Sequence, residues 1–234
     1  MRGVILAGGK GTRLLPATKV MNKHLMPIGT TPMIEFPLRL LKKIGITDIL
    51  LVTGGDHIGG FAEYLGDGSA FGVALTYRVQ AQANGIAGAL ALAEGFAAGE
   101  RVVVILGDNI FDERDFSPAD FDLPANAAQI FIKEVSDPKR FGVVEFDAQK
   151  KPVRIVEKPE NPTSKFAVTG LYSYPADIFG VIKKLKPSAR GELEITDANN
   201  FYVAAKRMQC RVVNGFWSDA GTPESLFKAH ERFQ

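Results

Sequence analysis

Glycine and basic residues crowd the end of the first apolar run of the chain, in the stretch ILAGGKGTRLLPATK. Gly8, Gly9 and Gly11 can adopt positive φ values, which lets backbone N–H groups approach a phosphate chain with no side chain in between. Arg13 adds a forked, permanently charged donor, and Lys23 adds a point charge from the segment that follows. These residues predict a phosphate-binding site, and a glycine-rich surface turn is the alternative.

Two common phosphate-binding motifs do not fit this stretch. A Walker A loop has Gly-X4-Gly-Lys-Ser/Thr, but Val4 stands five positions before Gly9, and Lys10 is followed by Gly11. The dinucleotide-binding pattern Gly-X-Gly-X-X-Gly has Leu14 in place of its third glycine. The spacing therefore leaves open which phosphate compound the glycines serve.

Strand and helix patterns alternate through the first half of the chain. They run in the order GVILA, PMIEFPLRLLKKIG, DILLVT, HIGGFAEYLG, VALTYRV, GIAGALALAEGF and RVVVILGD. Short apolar strands that alternate with helices predict a mainly parallel sheet with helices on both faces. Ligands of such sheets bind at the carboxyl ends of the strands. The first strand leads to GGKGTR and the fourth to GDN, so we expect these two motifs to meet.

The second half of the chain has a different rhythm. The strand-like segments AQIFIKEV, FGVVEFD, PVRIVEKP and FAVTGLYSY follow one another without intervening helices. Such a run predicts an antiparallel addition to the sheet that covers the substrate. We therefore expect an α/β fold with a Rossmann-like, mixed, mainly parallel sheet and an antiparallel insertion.

The composition excludes several classes of function. The 234 residues include 28 Lys and Arg and 26 Asp and Glu, a net charge of +2, so no overall field attracts nucleic acid or an anionic membrane. No apolar run approaches the roughly 20 residues that span a bilayer, and the N-terminus lacks a cleavable signal pattern. The single cysteine, Cys210, fits a reducing compartment. We expect a soluble, cytoplasmic protein that binds neither nucleic acid nor membrane.

Several ordered segments carry a family resemblance. The segment LAGGKGTRLLPATKVMNKHLMPIGTTPMIEFPL resembles the signature of the sugar-phosphate nucleotidylyltransferases. Further segments are similar to those of the bacterial glucose-1-phosphate thymidylyltransferases, and they are LGDGS, VILGDNIF, RFGVVEFD, VEKPENPTS, AVTGLY, PSARGELEITD and WSDAGTPESL. The resemblance runs in order from Arg2 to about Ala229.

The resemblance implies a reaction and two halves of one domain. dTTP and glucose 1-phosphate would give dTDP-glucose and pyrophosphate, with Mg²⁺, by in-line attack of the sugar phosphate on the α-phosphorus. The single domain would span 1–234, with a nucleotide-binding half at about 1–110 and a sugar-phosphate-binding half at about 111–234. UTP or another hexose 1-phosphate is the near alternative. A non-catalytic nucleotide-sugar sensor is the alternative of another class, and it is disfavoured because the chain retains the charged residues Arg13, Lys23, Asp108, Lys158 and Asp219.

The resemblance also assigns roles at the nucleotide end. Arg13 would lie along the β- and γ-phosphates, Lys23 would bridge to the α-phosphate, and Asp108 would complete the catalytic set. Asp108 and Asp219 would be the Mg²⁺ ligands, while a turn or helix cap at Asp108 and an Asx turn at Asp219 are the alternatives. The implied nucleotide-binding residues are Leu6, Ala7, Gly8, Gly9, Gly11, Thr12, Arg13, Gln80, Gly85 and Asp108, in a backbone stretch that includes Lys10.

At the sugar end the implied residues are Gly142, Glu157, Lys158, Thr169, Tyr172 and Arg190. Glu157 would accept hydrogen bonds from sugar hydroxyls, and Lys158 and Arg190 would hold the phosphate. Adjacent residues of a strand point to opposite faces, so a charged surface strand is the alternative reading of VEKP.

The chain departs from the thymidylyltransferase pattern at His24, Ala83, Gly88 and Phe141, and these positions bear on base and sugar selectivity. The family's helical extension does not follow ESLFKAHERFQ, so we do not expect an allosteric nucleotide site. The resemblance is compatible with a homo-oligomer.

Overall fold

Strands and helices follow one another in the order that the apolar runs predict. The computed structural model describes residues 1–9 and 11–234. The strands in this part of the chain are β1 (Arg2–Ala7), β2 (Pro27–Ile28), β3 (Thr31–Pro32), β4 (Asp48–Gly54), β5 (Ala74–Gln80), β6 (Val102–Leu106), β7 (Ile110–Phe111), β8 (Ala128–Glu134), β9 (Gly142–Phe146), β10 (Pro152–Glu157), β11 (Phe166–Tyr174), β12 (Met208–Val212) and β13 (Trp217–Ser218). The α-helices are α1 (Glu35–Lys43), α2 (Ile58–Leu65), α3 (Ile86–Ala91), α4 (Glu94–Ala97), α5 (Ile178–Ile182), α6 (Ile195–Ala204) and α7 (Pro223–Arg232).

A mixed sheet with a parallel centre organises the fold. Strand β1 pairs in parallel with β4 on one side and with β6 on the other, and β4 pairs in parallel with β5. On the far side of β6 the order continues through β11, β9 and β10. The expected α/β architecture is therefore confirmed, with the carboxyl ends of β1 and β6 side by side.

Both faces of this sheet are buried. On one face Val4, Val52 and Val104 belong to an apolar cluster that includes residues of α3, α5 and α6. On the other face Ile5 and Leu51 belong to a cluster with residues of α1 and α2. Such two-sided burial explains why these strands are continuous apolar runs rather than alternating ones.

The strands of the second half join the same sheet. Strand β11 runs antiparallel to β6, β8 and β9, and β9 forms an antiparallel pair with β10. The predicted antiparallel addition is confirmed for β8, β9, β10 and β11. Strand β12 lies outside that prediction, and it pairs in parallel with β8 and extends the sheet there.

An irregularity in β11 brings polar groups to the edge of the sheet. Between Val168 and Tyr172 the pairing with β8 shifts register. Within the shift, Thr169 Oγ1 donates to the Phe131 carbonyl at 2.8 Å, and the Gly170 N–H donates to Asn109 Oδ1 at 2.8 Å. A Cβ at Gly170 would lie 2.5 Å from Asn109 Cγ, so only glycine allows this approach.

Lys133 fixes the segment that leads into β13. Its Nζ donates to the carbonyl oxygens of Val213, Asn214 and Gly215 at 3.0, 3.0 and 2.7 Å. An ammonium group bonded to three successive carbonyls holds the backbone of this segment against β8. Among the described residues, none of the helices combines the length and the apolar composition that a bilayer crossing requires.

Replacing Lys133 by methionine is expected to lower the free energy of unfolding by roughly 1–3 kcal/mol, because charged hydrogen bonds to the backbone are lost while the aliphatic stem is kept. Urea unfolding of the variant measures this change. Lys165→Met is the matched control, since Lys165 is an exposed lysine nearby, and its effect should stay within about 0.5 kcal/mol. Equal stability of the two variants would contradict the role of Lys133.

Candidate active site

One cleft collects almost every residue that the sequence singled out. Its volume is about 850 Å³, and it opens where β1 and β6 end. The expected residues that line it are Leu6, Gly8, Gly9, Thr12, Arg13, Lys23, Gln80, Gly85, Asp108, Gly142, Glu157, Lys158, Thr169, Tyr172, Arg190 and Asp219. Ala7 and Gly11 do not line it, and Lys10 lies outside the described residues. The predicted meeting of GGKGTR with GDN at one sheet edge is therefore confirmed.

An ion pair between Lys23 and Asp108 lies at the centre of this edge. Lys23 Nζ is 2.5 Å from Asp108 Oδ2, and the two side chains are only 12% and 16% exposed. Asn109 Nδ2 donates to the other carboxylate oxygen at 3.0 Å. Burial alone raises the pKa of Asp108, but the charge and hydrogen bond of Lys23 outweigh it, so the net pKa lies below the usual value. The carboxylate is therefore ionised at neutral pH.

A two-stranded pairing brings Asp219 to Asp108 across the chain. Strand β7 follows Asp108, β13 precedes Asp219, and Ser218 pairs with Ile110 in antiparallel register. The two carboxylates therefore reach the same end of this small ribbon. Asp219 Oδ2 accepts a hydrogen bond from Arg140 Nη2 at 3.2 Å.

The chemistry of these two carboxylates is compatible with a magnesium ion, because carboxylate oxygens are the protein ligands that Mg²⁺ takes. Within residues 1–9 and 11–234 no group of three or more His, Cys, Asp or Glu side chains could enclose a metal ion. Magnesium is commonly held by one or two carboxylates with substrate phosphates and water completing its octahedron, so Asp108 and Asp219 suffice as a donor set. No hydrogen bond from a described backbone N–H reaches either carboxylate, so neither forms the cap or Asx turn considered as an alternative.

The glycine loop after β1 leads to Arg13, which lies beside the Asp219 segment, since a Cβ at Gly221 would lie 3.4 Å from Arg13 Nη2. Gly9 has φ +96° and Gly11 has φ +61°, the left-handed region that favours glycine. A Cβ at Gly11 would lie 2.8 Å from Thr18 Cγ2 and 3.3 Å from Lys23 Cβ, which shows that Gly11 packs behind the loop instead of facing the cleft. Arg13 is exposed at the mouth of the cleft.

Gly85 joins the loop after β5 to the sugar half of the chain. The Leu193 N–H donates to the Asn84 carbonyl at 2.8 Å, and the Ala87 N–H donates to the Leu193 carbonyl at 3.2 Å. Gly85 has φ +95°, and a Cβ there would lie 2.6 Å from the Leu193 oxygen. Gln80 Nε2 donates to Asn84 Oδ1 at 2.9 Å. This bridge places Gln80 and Gly85 at one wall of the cleft.

The departure at Gly88 has a local cause. A Cβ at Gly88 would overlap the side-chain amide of Asn84. The Asn84 side chain therefore occupies the space that a longer residue at position 88 would need.

The expectation that Glu157 and Lys158 point to opposite faces is wrong. Strand β10 ends at Glu157, and Lys158 has φ +45°, so the strand alternation stops between them. Both side chains line the cleft, and Lys158 Nζ lies 3.5 Å from Glu157 Oε1. Glu157 Oε2 accepts a hydrogen bond from Thr196 Oγ1 at 2.7 Å. A charged surface strand is thereby excluded.

Arg190 lies on the same side of the cleft among carboxylates. Its Nη2 donates to both oxygens of Glu194, at 2.9 and 3.0 Å, and lies 3.8 Å from Glu157 Oε1. Ser188 Oγ donates to Glu194 Oε1 at 2.7 Å. The guanidinium is therefore held in one orientation at the rim.

Comparison with known proteins decides the family. Residues 2–234 match the nucleotidyl transferase family. The chain belongs to this family. A glucose-1-phosphate thymidylyltransferase from Neisseria meningitidis is 44% identical over 233 residues, which cover 98% of this chain and 81% of the relative. Another from Mycobacterium tuberculosis is 41% identical over 233 residues, with 98% and 81% covered.

Solved structures support the fold of this nucleotidyl transferase. A crystal structure from Bacillus anthracis, provisionally assigned as a glucose-1-phosphate thymidylyltransferase and bound to sucrose, is 48% identical with a TM-score of 0.91, covering 99% of this chain and 94% of that one. A UDP-glucose pyrophosphorylase complexed with UDP-glucose has a TM-score of 0.88 at 24% identity, covering 99% and 97%, and shows the shared fold alone.

Asn109 and Arg140 line the cleft of this nucleotidyl transferase but were not singled out from the sequence, and Phe141 was noted there only as a departure from the family pattern. Asn109 is buried, and its Oδ1 also accepts a hydrogen bond from Trp217 Nε1 at 2.7 Å. Arg140 reaches Asp219, and Phe141 packs against Trp217 with ring centroids 5.3 Å apart. Only the GDN motif could have drawn attention to Asn109, by its position beside Asp108.

His24 is a buried and uncharged residue that lines the cleft. Burial, together with the positive charge of Lys23, lowers the pKa of its imidazole to about 3. Asn22 Oδ1 accepts from the His24 N–H and lies 2.8 Å from Nδ1. Asn22 Oδ1 can only accept hydrogen bonds, so Nδ1 must carry a proton to bond to it. The neutral imidazole is therefore the Nδ1–H tautomer.

Below its usual pKa of 6.5, His24 takes up a proton in the unfolded chain but not in the folded one, whose value is about 3. The free energy of unfolding should therefore fall as the pH falls, by about 2 kcal/mol from this group between pH 7 and pH 5. Urea unfolding at pH 7, 6 and 5 measures the slope. His24→Gln should remove this part of the slope, and all other titrating groups cancel in the comparison. Parallel profiles would contradict the buried neutral state.

Proposed function

We propose that this nucleotidyl transferase joins dTTP and glucose 1-phosphate to form dTDP-glucose and pyrophosphate. The observation that carries the proposal is that one cleft contains both required sets of groups. Arg13, Lys23, Asp108 and Asp219 follow β1, β6 and β13, while Glu157 and the other sugar-end residues lie on or near β9, β10, β11 and α6, and all of them line the same cleft. The names of the relatives support dTTP and glucose 1-phosphate as the substrates.

The chemistry requires positioning and charge neutralisation. An oxygen of the sugar phosphate attacks the α-phosphorus, the bond from that phosphorus to the bridging oxygen of the β-phosphate breaks, and pyrophosphate leaves with the electron pair. The attacking phosphate is already deprotonated at pH 7, so no general base is needed. The protein accelerates such a step by holding both partners in line and by stabilising the charge that develops.

Each charged residue of the nucleotide end has a role in this step. Lys23 would contact the α-phosphate, and Arg13 would bind the β- and γ-phosphates that leave. Asp108 and Asp219 would hold Mg²⁺, which supplies Lewis-acid polarisation of the phosphates when bound. The Lys23–Asp108 pair keeps the ammonium beside the carboxylate before substrate binds.

The sugar end would select and orient the attacking group. Lys158 and Arg190 would bind the sugar phosphate, and Glu157 would accept hydrogen bonds from hexose hydroxyls. Gly142, Thr169 and Tyr172 would shape the hexose pocket. The division into a nucleotide half at about 1–110 and a sugar half at about 111–234 follows this assignment. Asp219 is an exception, because it belongs to the second half in sequence but is assigned to the nucleotide end.

Base selectivity depends on the wall formed by Gln80 and Gly85. Gln80 would pair with the pyrimidine edge, and Gly85 leaves room for the ring because no side chain projects there. A contact with the 5-methyl group of thymine contributes only about 1–3 kcal/mol, so UTP is the competing nucleotide. Nucleoside triphosphates and sugar phosphates are cytoplasmic metabolites, so the cytoplasm is the proposed compartment. Assembly into a homo-oligomer stays a prediction.

Pyrophosphate release should be measured across a matrix of nucleoside triphosphates and sugar 1-phosphates. We expect the highest kcat/KM for dTTP with glucose 1-phosphate in the presence of Mg²⁺, and loss of release when EDTA removes the metal. Release with UTP alone would overturn the thymidylyl assignment. Absence of release in every combination would favour the sensor.

Arg13→Ala is expected to lower kcat/KM by roughly a hundredfold or more, because a preorganised cation for the leaving pyrophosphate is lost. Its melting temperature should stay unchanged, since Arg13 is exposed. Lys19→Ala is the matched control, an exposed lysine in the same loop. Full turnover by folded Arg13→Ala would disprove the role. Lys23 is a poorer probe, because removing it leaves the buried Asp108 uncompensated at a cost of about 3–5 kcal/mol.

A further inference from the structure

The side-chain NH2 group of a buried asparagine on α6 has no hydrogen-bond partner among the described residues. Asn199 is 1% exposed, and its Nδ2 makes no hydrogen bond there. Asn199 also lines the cleft. A buried donor without a partner costs free energy unless water or a ligand accepts from it. This donor therefore points to something that binds in the cleft.

The orientation of the amide is set from behind. Tyr174 is fully buried, and its hydroxyl donates to Asn199 Oδ1 at 2.6 Å. If the amide were flipped, the tyrosine proton would lose its acceptor, so the hydrogen bond assigns oxygen to this side and leaves Nδ2 for the other. Packing and hydrogen bonding thus hold the donor in place before any ligand arrives.

The neighbours of Asn199 place this donor at the sugar end. Ile195 and Thr196 lie one turn earlier on the same face of α6, and both line the cleft. Thr196 Oγ1 donates to Glu157 Oε2 at 2.7 Å. The ring of Tyr172, which also lines the cleft, stacks on Tyr174 at 5.7 Å. The groups around the donor are therefore those of the proposed hexose pocket.

We propose that Asn199 Nδ2 donates a hydrogen bond to one hydroxyl of the hexose, directly or through one bound water, and so is a specificity-determining residue for the sugar 1-phosphate. The inference rests on the proposed function and adds a contact that Glu157 cannot make. A carboxylate only accepts hydrogen bonds, whereas this amide donates, so the two groups read different features of the sugar. The triphosphate end is unaffected by this contact.

The test separates the donor from the structural bond to Tyr174. Tyr174→Phe removes the hydroxyl but keeps the amide, whereas Tyr174→Phe with Asn199→Leu removes both and keeps a branched side chain with the same number of heavy atoms at position 199. Steady-state kinetics are measured for both proteins and for the unchanged chain, with glucose 1-phosphate and its 2-, 3-, 4- and 6-deoxy analogues. Thermal unfolding reports whether each variant is folded.

We expect the double variant to lose roughly tenfold or more in kcat/KM for glucose 1-phosphate relative to Tyr174→Phe, with the KM for dTTP unchanged. One deoxy analogue should be discriminated by the unchanged chain, less strongly by Tyr174→Phe, whose amide is no longer oriented from behind, and no longer by the double variant. If the double variant does not fold, Asn199→Ser, whose hydroxyl can still accept from Tyr174, takes its place.

Two failures are distinguishable. Equal kcat/KM and equal discrimination in the single and double variants would overturn the role of Asn199 while leaving the proposed function in place. If the unchanged chain neither turns over nor binds any sugar 1-phosphate, the proposed function and this inference are overturned together.

Discussion

The buried ion pair between Lys23 and Asp108 is the constraint on which the rest of the site depends. Lys23 arrives on the loop after β1, and Asp108 follows β6, the parallel neighbour of β1. The Gly107 N–H donates to the Leu6 carbonyl at 2.9 Å, so the backbone ladder continues up to the carboxylate. Because two buried opposite charges must stay together, the pair fixes the glycine loop relative to the sheet, and Arg13 with it.

The side-chain amide of Asn109 connects this ion pair to other parts of the fold. Asn109 donates to Asp108 and accepts from Gly170 and from Trp217, at 3.0, 2.8 and 2.7 Å. It thereby joins the nucleotide end to the irregular part of β11 and to the strand before Asp219. A reaction that needs alignment and charge balance, without proton transfer by the protein, suits such a rigid centre. His24 lies beside Lys23 but adds no charge to the site, because its imidazole stays neutral. It therefore does not compete with the neighbouring cations for phosphate.

What the sequence predicted and what it missed have separate physical causes. Parallel strands bring their carboxyl ends together wherever they lie in the chain, so the meeting of Gly8 and Asp108 followed from alternation alone. The family resemblance supplied Asp219, since the two-residue strands β7 and β13 that carry it to Asp108 are too short to show a period. The alternation argument failed at Glu157 and Lys158, where a single left-handed residue ends the strand. Asn109, Arg140 and Asn199 act through partners far away in sequence, and no local pattern reports such pairs.

The ribbon of β7 and β13 has a consequence for biosynthesis. Its two strands are separated by about a hundred positions, and β13 precedes only the last helix. During translation, Asp108 leaves the ribosome long before Asp219 exists. A nascent chain therefore carries half of the carboxylate pair and cannot assemble the complete site. The ribbon, and with it the approach of Asp219 to Asp108, therefore forms only after the segment that carries β13 has been synthesised and has joined the fold.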